Sequence, residues 1–315
     1  MKTALLFPGQ GAQYVGMGKS LAAASAPARE IFERADAALG LPLSAILFEG
    51  PEEELRRTRT TQPAILTHSI ACLAAAESPG PAEADFAAGH SLGEYSALVA
   101  AGALSFEDAV RTVRLRGELM QKAGDDRQGA MAAILGLGAE EVRAACEAAS
   151  GTVVPANLNS PSQIVISGEV AAVEQAMTGC RERGATRALR LEVSGAFHSP
   201  LMASAAAGLK THLETLDIRP ARFPVIANVS ARPVRTPEEI RDALARQVLG
   251  AVLWEPTVRW LLAQGVSRVI ELGPGRVLRG LVKAVSADVL LLGAEDPVSL
   301  GALSRALGAP EAHPL

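Results

Sequence analysis

Cysteine is scarce. The 315 residues hold three, Cys72, Cys146 and Cys180, widely spaced and with no C-x-x-C pair. An odd, scattered set gives neither a disulfide framework nor a thiolate metal site. Each reads as a small core residue in a reducing compartment. Long apolar runs are also missing, so no segment has the length of a membrane span, and the apolar stretch at residues 1–8 is too short for a secretion signal. There is no basic excess: 30 Lys and Arg stand against 34 Asp and Glu, a net charge of −4, which argues against nucleic acid as the main partner. What is present is an ordinary globular composition, 49% hydrophobic and 20% charged, long enough for one large domain or two smaller ones. The expected setting is cytoplasmic.

The pattern along the chain is of alternating strands and helices. Residues 4–7 read as a buried first strand, followed by the Gly-rich loop Pro8-Gly9-Gln10-Gly11-Ala12-Gln13. Gly9-x-Gly11 is not a dinucleotide fingerprint, because Tyr14 stands where the third glycine belongs. Helical patterns follow at 27–39 and 62–77, which favours an α/β core with a mainly parallel sheet. Residues 122–129 read as a polar linker. Beyond it lie a strand (130–135), a helix (140–149), two strands (153–157 and 163–167) around the turn 159–162, a helix (171–183) and a strand (187–193). That order, βαββαβ, is the ferredoxin-like unit. The expected fold is a large α/β-hydrolase-like domain, residues 1–127 and 197–315, with a ferredoxin-like insert at 128–196. The main pattern resumes from Ser199, with a strand at 267–272 and a helix at 276–285.

Gly89-His90-Ser91-Leu92-Gly93 sits between a strand-like run and a helix-like run. A Gly-flanked serine at a sharp strand-to-helix turn is the arrangement of a nucleophile elbow, and the helix N-terminus behind it offers free N–H groups to an oxyanion. Ser91 needs a base. Of the histidines, His90 adjoins the serine in the turn and reads as structural, His68 and His212 lie in helical patterns, and His313 is in a Pro-flanked tail. His198, at the junction between insert and main domain, is the best base, since domain junctions favour clefts.

Arg116 is the second informative residue. Ala109, Val113, Arg116 and Met120 share one helical face, so Arg116 lies within an apolar stripe. An inward arginine needs a partner. A carboxylate gripped by two parallel hydrogen bonds suits it, supplied either by a substrate or by the protein, Glu94 being the candidate. The loop at Gly9–Gly11 ends the first strand, where α/β sheets place ligands. One of its backbone N–H groups, with that of Leu92, could form an oxyanion hole.

Taken together, Phe7-Pro8-Gly9-Gln10-Gly11-Ala12-Gln13, Thr61-Gln62-Pro63-Ala64, Gly89-His90-Ser91-Leu92-Gly93-Glu94-Tyr95, Arg114-Leu115-Arg116-Gly117, Asn159-Ser160-Pro161, Phe197-His198-Ser199 and Glu271-Leu272-Gly273-Pro274-Gly275 resemble the malonyl-CoA:acyl-carrier-protein transacylase family of bacterial fatty-acid synthesis. The pieces occur in order and span nearly the whole chain. The resemblance implies Ser91 as nucleophile, His198 as base and Arg116 as the group that binds the malonyl carboxylate. It implies backbone oxyanion donors at Gln10 and Leu92, and Gln247 orienting His198 in place of an acidic third member. Phe197 is what malonyl-selective members have before the histidine, and Gln62 and Asn159 would line the site. One departure is visible: the family usually has Pro-Val-x-Trp four residues beyond the glutamine, and here the stretch is Ala251-Val252-Leu253-Trp254.

The implied reaction is a ping-pong transfer from malonyl-CoA to the phosphopantetheine thiol of acyl carrier protein, with no metal and no tightly bound cofactor. A polyketide-pathway acyltransferase and a serine esterase or thioesterase are the alternative enzymes, and a carrier-binding module is the non-enzymatic one. The α/β-hydrolase order, with an acid between serine and histidine, fits poorly with an insert between Ser91 and His198 and with an inward arginine. Carrier proteins are acidic, so Arg187, Arg190, Arg276, Arg279 and Lys283 are candidates for a docking patch, or are solvated surface charges.

Overall fold

The structure, a computed structural model, describes residues 1–76 and 84–308. In chain order the strands are β1 (Lys2–Phe7), β2 (Phe86–Gly89), β3 (Gly129–Leu135), β4 (Val153–Ser160), β5 (Gln163–Glu169), β6 (Arg187–Arg190), β7 (Val225–Ala227), β8 (Arg232–Val234), β9 (Val266–Leu272) and β10 (Leu290–Ala294). The helices are α1 (Lys19–Ala24), α2 (Ala26–Leu39), α3 (Leu43–Glu49), α4 (Glu52–Arg56), α5 (Thr58–Ala75), α6 (Gly93–Ala100), α7 (Phe106–Asp126), α8 (Ala139–Ala148), α9 (Val170–Glu182), α10 (Ala203–Glu214), α11 (Pro237–Gln247), α12 (Trp254–Ala263), α13 (Val277–Val285) and α14 (Pro297–Leu307).

Two sheets result. The first has strand order β10-β9-β1-β2-β7-β8. Its pairings are parallel except the last, β7 with β8. Central parallel strands are covered on both faces, and β1 follows suit: Ala4 to Phe7 are all buried. The period-2 alternation of strand side chains divides them. Leu5 and Phe7 join the apolar cluster on one face, Ala4 and Leu6 the cluster on the other, where Trp254 is fully buried.

The second sheet is antiparallel, in the order β4-β5-β3-β6. Ala130, Ala132, Ile134, Ile164 and Ile166 face α8 and α9. Met131, Ala133 and Val165 point the other way and join the same cluster as Leu5 and Phe7. The two sheets therefore share a core. A parallel bridge also ties Asn157 on β4 to Val252, in the segment between α11 and α12.

Several sequence expectations shift. The linker expected at 122–129 is helical as far as Asp126, because Lys122–Asp126 (2.9 Å) and Gln121–Asp125 (3.0 Å) close i,i+4 pairs and Ala123 and Gly124 are buried. The strand expected over 187–193 ends at Arg190. Asn159 and Ser160, expected in a turn, end β4, whose irregular register carries the strand past Leu158. The helix expected from 62 begins at Thr58. Pro63 within it lacks an N–H, and the Arg59 carbonyl in the preceding turn accepts from Arg114 Nη1 (3.3 Å). The three cysteines are free and buried.

Close backbone approach fixes the centre of the first sheet. A Cβ on Gly93 would run into the carbonyls of Phe7 and Pro8, so only glycine lets α6 start against the end of β1. Gly93→Ala should destabilise the protein by about 1–3 kcal/mol, the usual cost of overpacking, read as a lower urea midpoint. An unchanged midpoint would mean that the contact relaxes freely.

Candidate active site

The carboxyl ends of β1, β2, β7 and β9 lie along one edge of the first sheet, where open α/β sheets bind ligands. Ser91 leaves β2 there with φ 50°, a left-handed value rare outside glycine. His198 has φ 57°. Two strained non-glycine residues on separate segments meet: Ser91 Oγ lies 2.8 Å from His198 Nε2. The Nδ1–H of His198 donates to the main-chain carbonyls of Gln247 (2.9 Å) and Gly250 (3.1 Å). Those two acceptors fix the tautomer that leaves Nε2 free to take the serine proton. Burial first, then the Arg116 charge, pushes the His198 pKa from 6.5 down to about 3, so the ring is neutral at ordinary pH.

Arg116 is fully buried and forms no ion pair among the described residues. Its Nη1 donates to Gln62 Oε1 (2.6 Å), and its Nη2 to Ser91 Oγ (3.0 Å) and Gln247 Oε1 (3.1 Å). The guanidinium lies 5.8 Å from the Tyr95 ring centroid, within cation–π range. Its buried Nε has no partner. Gly117 makes this possible: a Cβ there would strike the Arg59 backbone, and the resulting close crossing of α5 and α7 brings Gln62 to Arg116. Of the two partners open from sequence, Glu94 is not bonded to Arg116 directly. Gln247 stands between them, accepting from Arg116 and donating through Nε2 to Glu94 Oε2 (2.7 Å) and to the Ser91 carbonyl (2.9 Å).

Gln247 thus meets His198 only through its main-chain carbonyl, while its side chain serves Arg116, Glu94 and the elbow. Gln10 flanks the site with its side chain turned to Thr58 Oγ1 (3.3 Å). Among the described residues, the amides of Gln10 and Leu92 have no acceptor, and Leu92 precedes the first turn of α6, so both are free to receive an anion. Among the described residues, Asn159 makes no hydrogen bond to Ser91 or Arg116. Its Oδ1 meets His90 Nε2 (2.8 Å), and the His90 ring packs 5.6 Å from that of Trp254, which gives His90 a structural place. Phe197 is buried in the core beside the base. His68 is buried against the Glu295 carbonyl, and His212 meets Thr112. His313 lies outside the described residues.

The basic candidates do not form one patch. Arg187 and Arg190 are on β6, one edge of the antiparallel sheet, whereas α13, with Arg279 and Lys283, packs at β4, the other edge. Arg190 is paired with Glu174 and Arg279 with Glu271. One buried residue, on the other hand, carries no sequence signal. Asn228, just after β7, bonds to Gly89, Ser91 and Glu94. No spacing signal marks Asn228, since its partners are distant in sequence.

A family model described as an acyl transferase domain matches residues 4–311. The malonyl CoA-acyl carrier protein transacylase of Bacillus subtilis (strain 168) is 49% identical over 302 residues, covering 95% of each chain. The protein of the same name from Escherichia coli (strain K12) is 45% identical over 301 residues, 95% of this chain and 97% of that one. The crystal structure of acyl-carrier-protein-S-malonyltransferase from Bartonella henselae matches with a TM-score of 0.94 at 43% identity, over 98% of this chain and all (100%) of that one. The structure of a type II PKS acyl-carrier protein in complex with its malonyl-transacylase matches with a TM-score of 0.94 at 42% identity, over 98% and 100% of the two chains.

Burial raises the Glu94 pKa from 4.5 to about 7. Between those values the folded protein holds a proton that the unfolded chain has released, so stability falls as pH rises through this window. Glu94→Gln keeps an acceptor for Asn228 and Gln247 without the titration. Its stability relative to wild type should climb with pH by on the order of 3 kcal/mol, compared by urea unfolding below and above the window. A difference independent of pH would remove Glu94 as the source.

Proposed function

The chain belongs to the acyl transferase domain family, and on that premise we propose that it moves a malonyl group from malonyl-CoA to the phosphopantetheine thiol of acyl carrier protein through an ester on Ser91, in fatty-acid synthesis. The observation that carries this reading is a buried arginine, paired with no carboxylate among the described residues, whose Nη2 lies 3.0 Å from the Ser91 hydroxyl. A malonyl ester on Ser91 would put a carboxylate three bonds from the ester oxygen, within reach of that guanidinium.

In the first half-reaction Ser91 Oγ attacks the thioester carbonyl and passes its proton to His198 Nε2, with general-base assistance worth roughly 10²–10⁴-fold. The Gln10 and Leu92 amides receive the oxyanion, each such donor being worth roughly 10²–10³-fold. The C–S bond breaks, and the CoA thiolate takes the proton from His198. The second half-reaction runs the same steps backwards, with the carrier thiol as nucleophile and Ser91 as leaving group. Gln62 and Gln247 hold Arg116 for the acyl carboxylate, Asn159 sets His90 beside the elbow, and Phe197 packs behind the base. Residues 128–196 form a ferredoxin-like insert in a hydrolase-like domain made of 1–127 and 197–315, and the site lies between the two in a cytoplasmic enzyme. The chemistry needs no metal or bound cofactor.

Intact mass after mixing with malonyl-CoA tests the reading. One malonyl group should appear, and Ser91→Ala should carry none; an adduct on another residue would overturn the assignment. Free malonate without an adduct would instead indicate a hydrolase. Arg116→Ala should cut malonyl loading by on the order of 10²-fold or more, the usual scale for a buried pair that loses one partner, while acetyl loading is preserved or raised. Unchanged malonyl-to-acetyl selectivity would remove Arg116 from the carboxylate role.

A further inference from the structure

The ladder between β2 and β7 pairs Ala87 with Val225 and Ala88 with Ile226. Beyond that the two main chains part. Ser91 turns left-handed to begin α6, and the Asn228 N–H leaves the ladder for Glu94 Oε2 (3.0 Å). The Asn228 side chain fills the gap. Its Oδ1 accepts from the Ser91 N–H at 2.7 Å, and its Nδ2 donates to the Gly89 carbonyl at 2.7 Å. One carboxamide thus bonds the main chain on both sides of His90, as a neighbouring strand would. Asn228 is itself buried. Its own carbonyl accepts from the Leu253 N–H (2.9 Å), three residues beyond Gly250, whose carbonyl holds His198.

We propose that Asn228 is the positioning residue of the nucleophile: its carboxamide clamps the Gly89 carbonyl and the Ser91 N–H, keeps Ser91 in the left-handed turn, and so aims Oγ at His198. The clamp also occupies the Ser91 N–H, which leaves Leu92 as the elbow's oxyanion donor. Without it, two buried main-chain groups would be unpaired, and the strained turn persists only where its surroundings over-determine it. The Asn228 side chain bonds the main chain of the elbow and not Ser91 Oγ. Its loss therefore falls on the acylation rate rather than on the concentration of donor that half-saturates it. The inference rests on Ser91 being the acylated residue.

The test is single-turnover acylation, followed by quenched intact mass at varied malonyl-CoA, for wild type, Asn228→Ala and Asn228→Asp. Asn228→Ala should slow acylation by about 10²-fold, the scale of a misplaced reacting group. Half-saturation should change little, and the malonyl and acetyl reactions should slow equally, because the Arg116 contacts are untouched. Asn228→Asp separates positioning from mere packing and serves if the alanine variant does not fold. A protonated carboxyl accepts and donates as the amide does, whereas an ionised one only accepts and opposes the Gly89 carbonyl. Its rate relative to wild type should therefore rise as pH falls from about 8 to about 5. Glu94 on α6, Arg116 on α7, His90 and His198 are the ionisable groups around the elbow in both proteins; Glu94 bonds to residue 228, so the new carboxyl titrates coupled to Glu94 and the ratio reports that pair. Asn228→Ala loading Ser91 at the wild-type rate, or a ratio for Asn228→Asp that is flat with pH, would overturn the proposal. A malonyl adduct that persists in Ser91→Ala would instead overturn the nucleophile assignment, so the two failures are distinct.

Discussion

A guanidinium buried without a directly bonded carboxylate is a costly feature of this molecule, and much of its centre is arranged around it. An isolated charge out of water costs several kcal/mol unless neighbours compensate. Here the compensation is dipolar: two amide oxygens from Gln62 and Gln247, the Ser91 hydroxyl and the face of Tyr95. None of these neutralises the charge, so the pocket keeps an unspent attraction for an anion at the nucleophile. The same need accounts for the close crossing of α5 and α7 at Gly117, which brings Gln62 to Arg116.

The His198 ring is supported on the same terms. His198 rests on two main-chain carbonyls rather than on a carboxylate. A carboxylate there would favour the imidazolium, whereas carbonyl dipoles orient the ring while leaving its charged form expensive next to Arg116. That balance suits a step whose leaving group is a thiolate, which needs less help from an acid than an alkoxide or an amine. It also makes the identity of residue 247 matter through its side chain and not through its carbonyl, which any residue supplies. The carboxamide of Gln247 bonds to Arg116, Glu94 and the elbow together.

Local features were legible in the sequence where one segment carries the whole signal. The turn at Ser91 follows from its flanking glycines, Arg116 from its place in an apolar stripe, and the order of strands and helices over residues 129–190 from hydrophobic period. What periodicity could not show was pairing across the chain. The polar run at 122–126 looks like a linker but continues a helix, because its charges pair with one another one turn apart. The basic residues of β6 and α13 look like one patch by composition and lie at opposite edges of a sheet. Asn228 has no local signature, because its role is defined by groups more than a hundred residues away.

The two sheets are joined by more than contact. Met131, Ala133 and Val165 complete the cluster that holds Leu5 and Phe7, and the bridge from Asn157 to Val252 ties the antiparallel sheet to the segment that carries Gly250. Any motion of one sheet over the other would thus tug on the carbonyls that orient His198 and on Leu253, which bonds to Asn228. Ser91 and His198 sit on different segments at positive φ, a conformation that persists only where its surroundings hold it. The 2.8 Å contact between them is therefore a property of the joined sheets. A substitution in their shared core should reach the chemistry before it unfolds the protein, because strained residues depend on surroundings that leave no alternative.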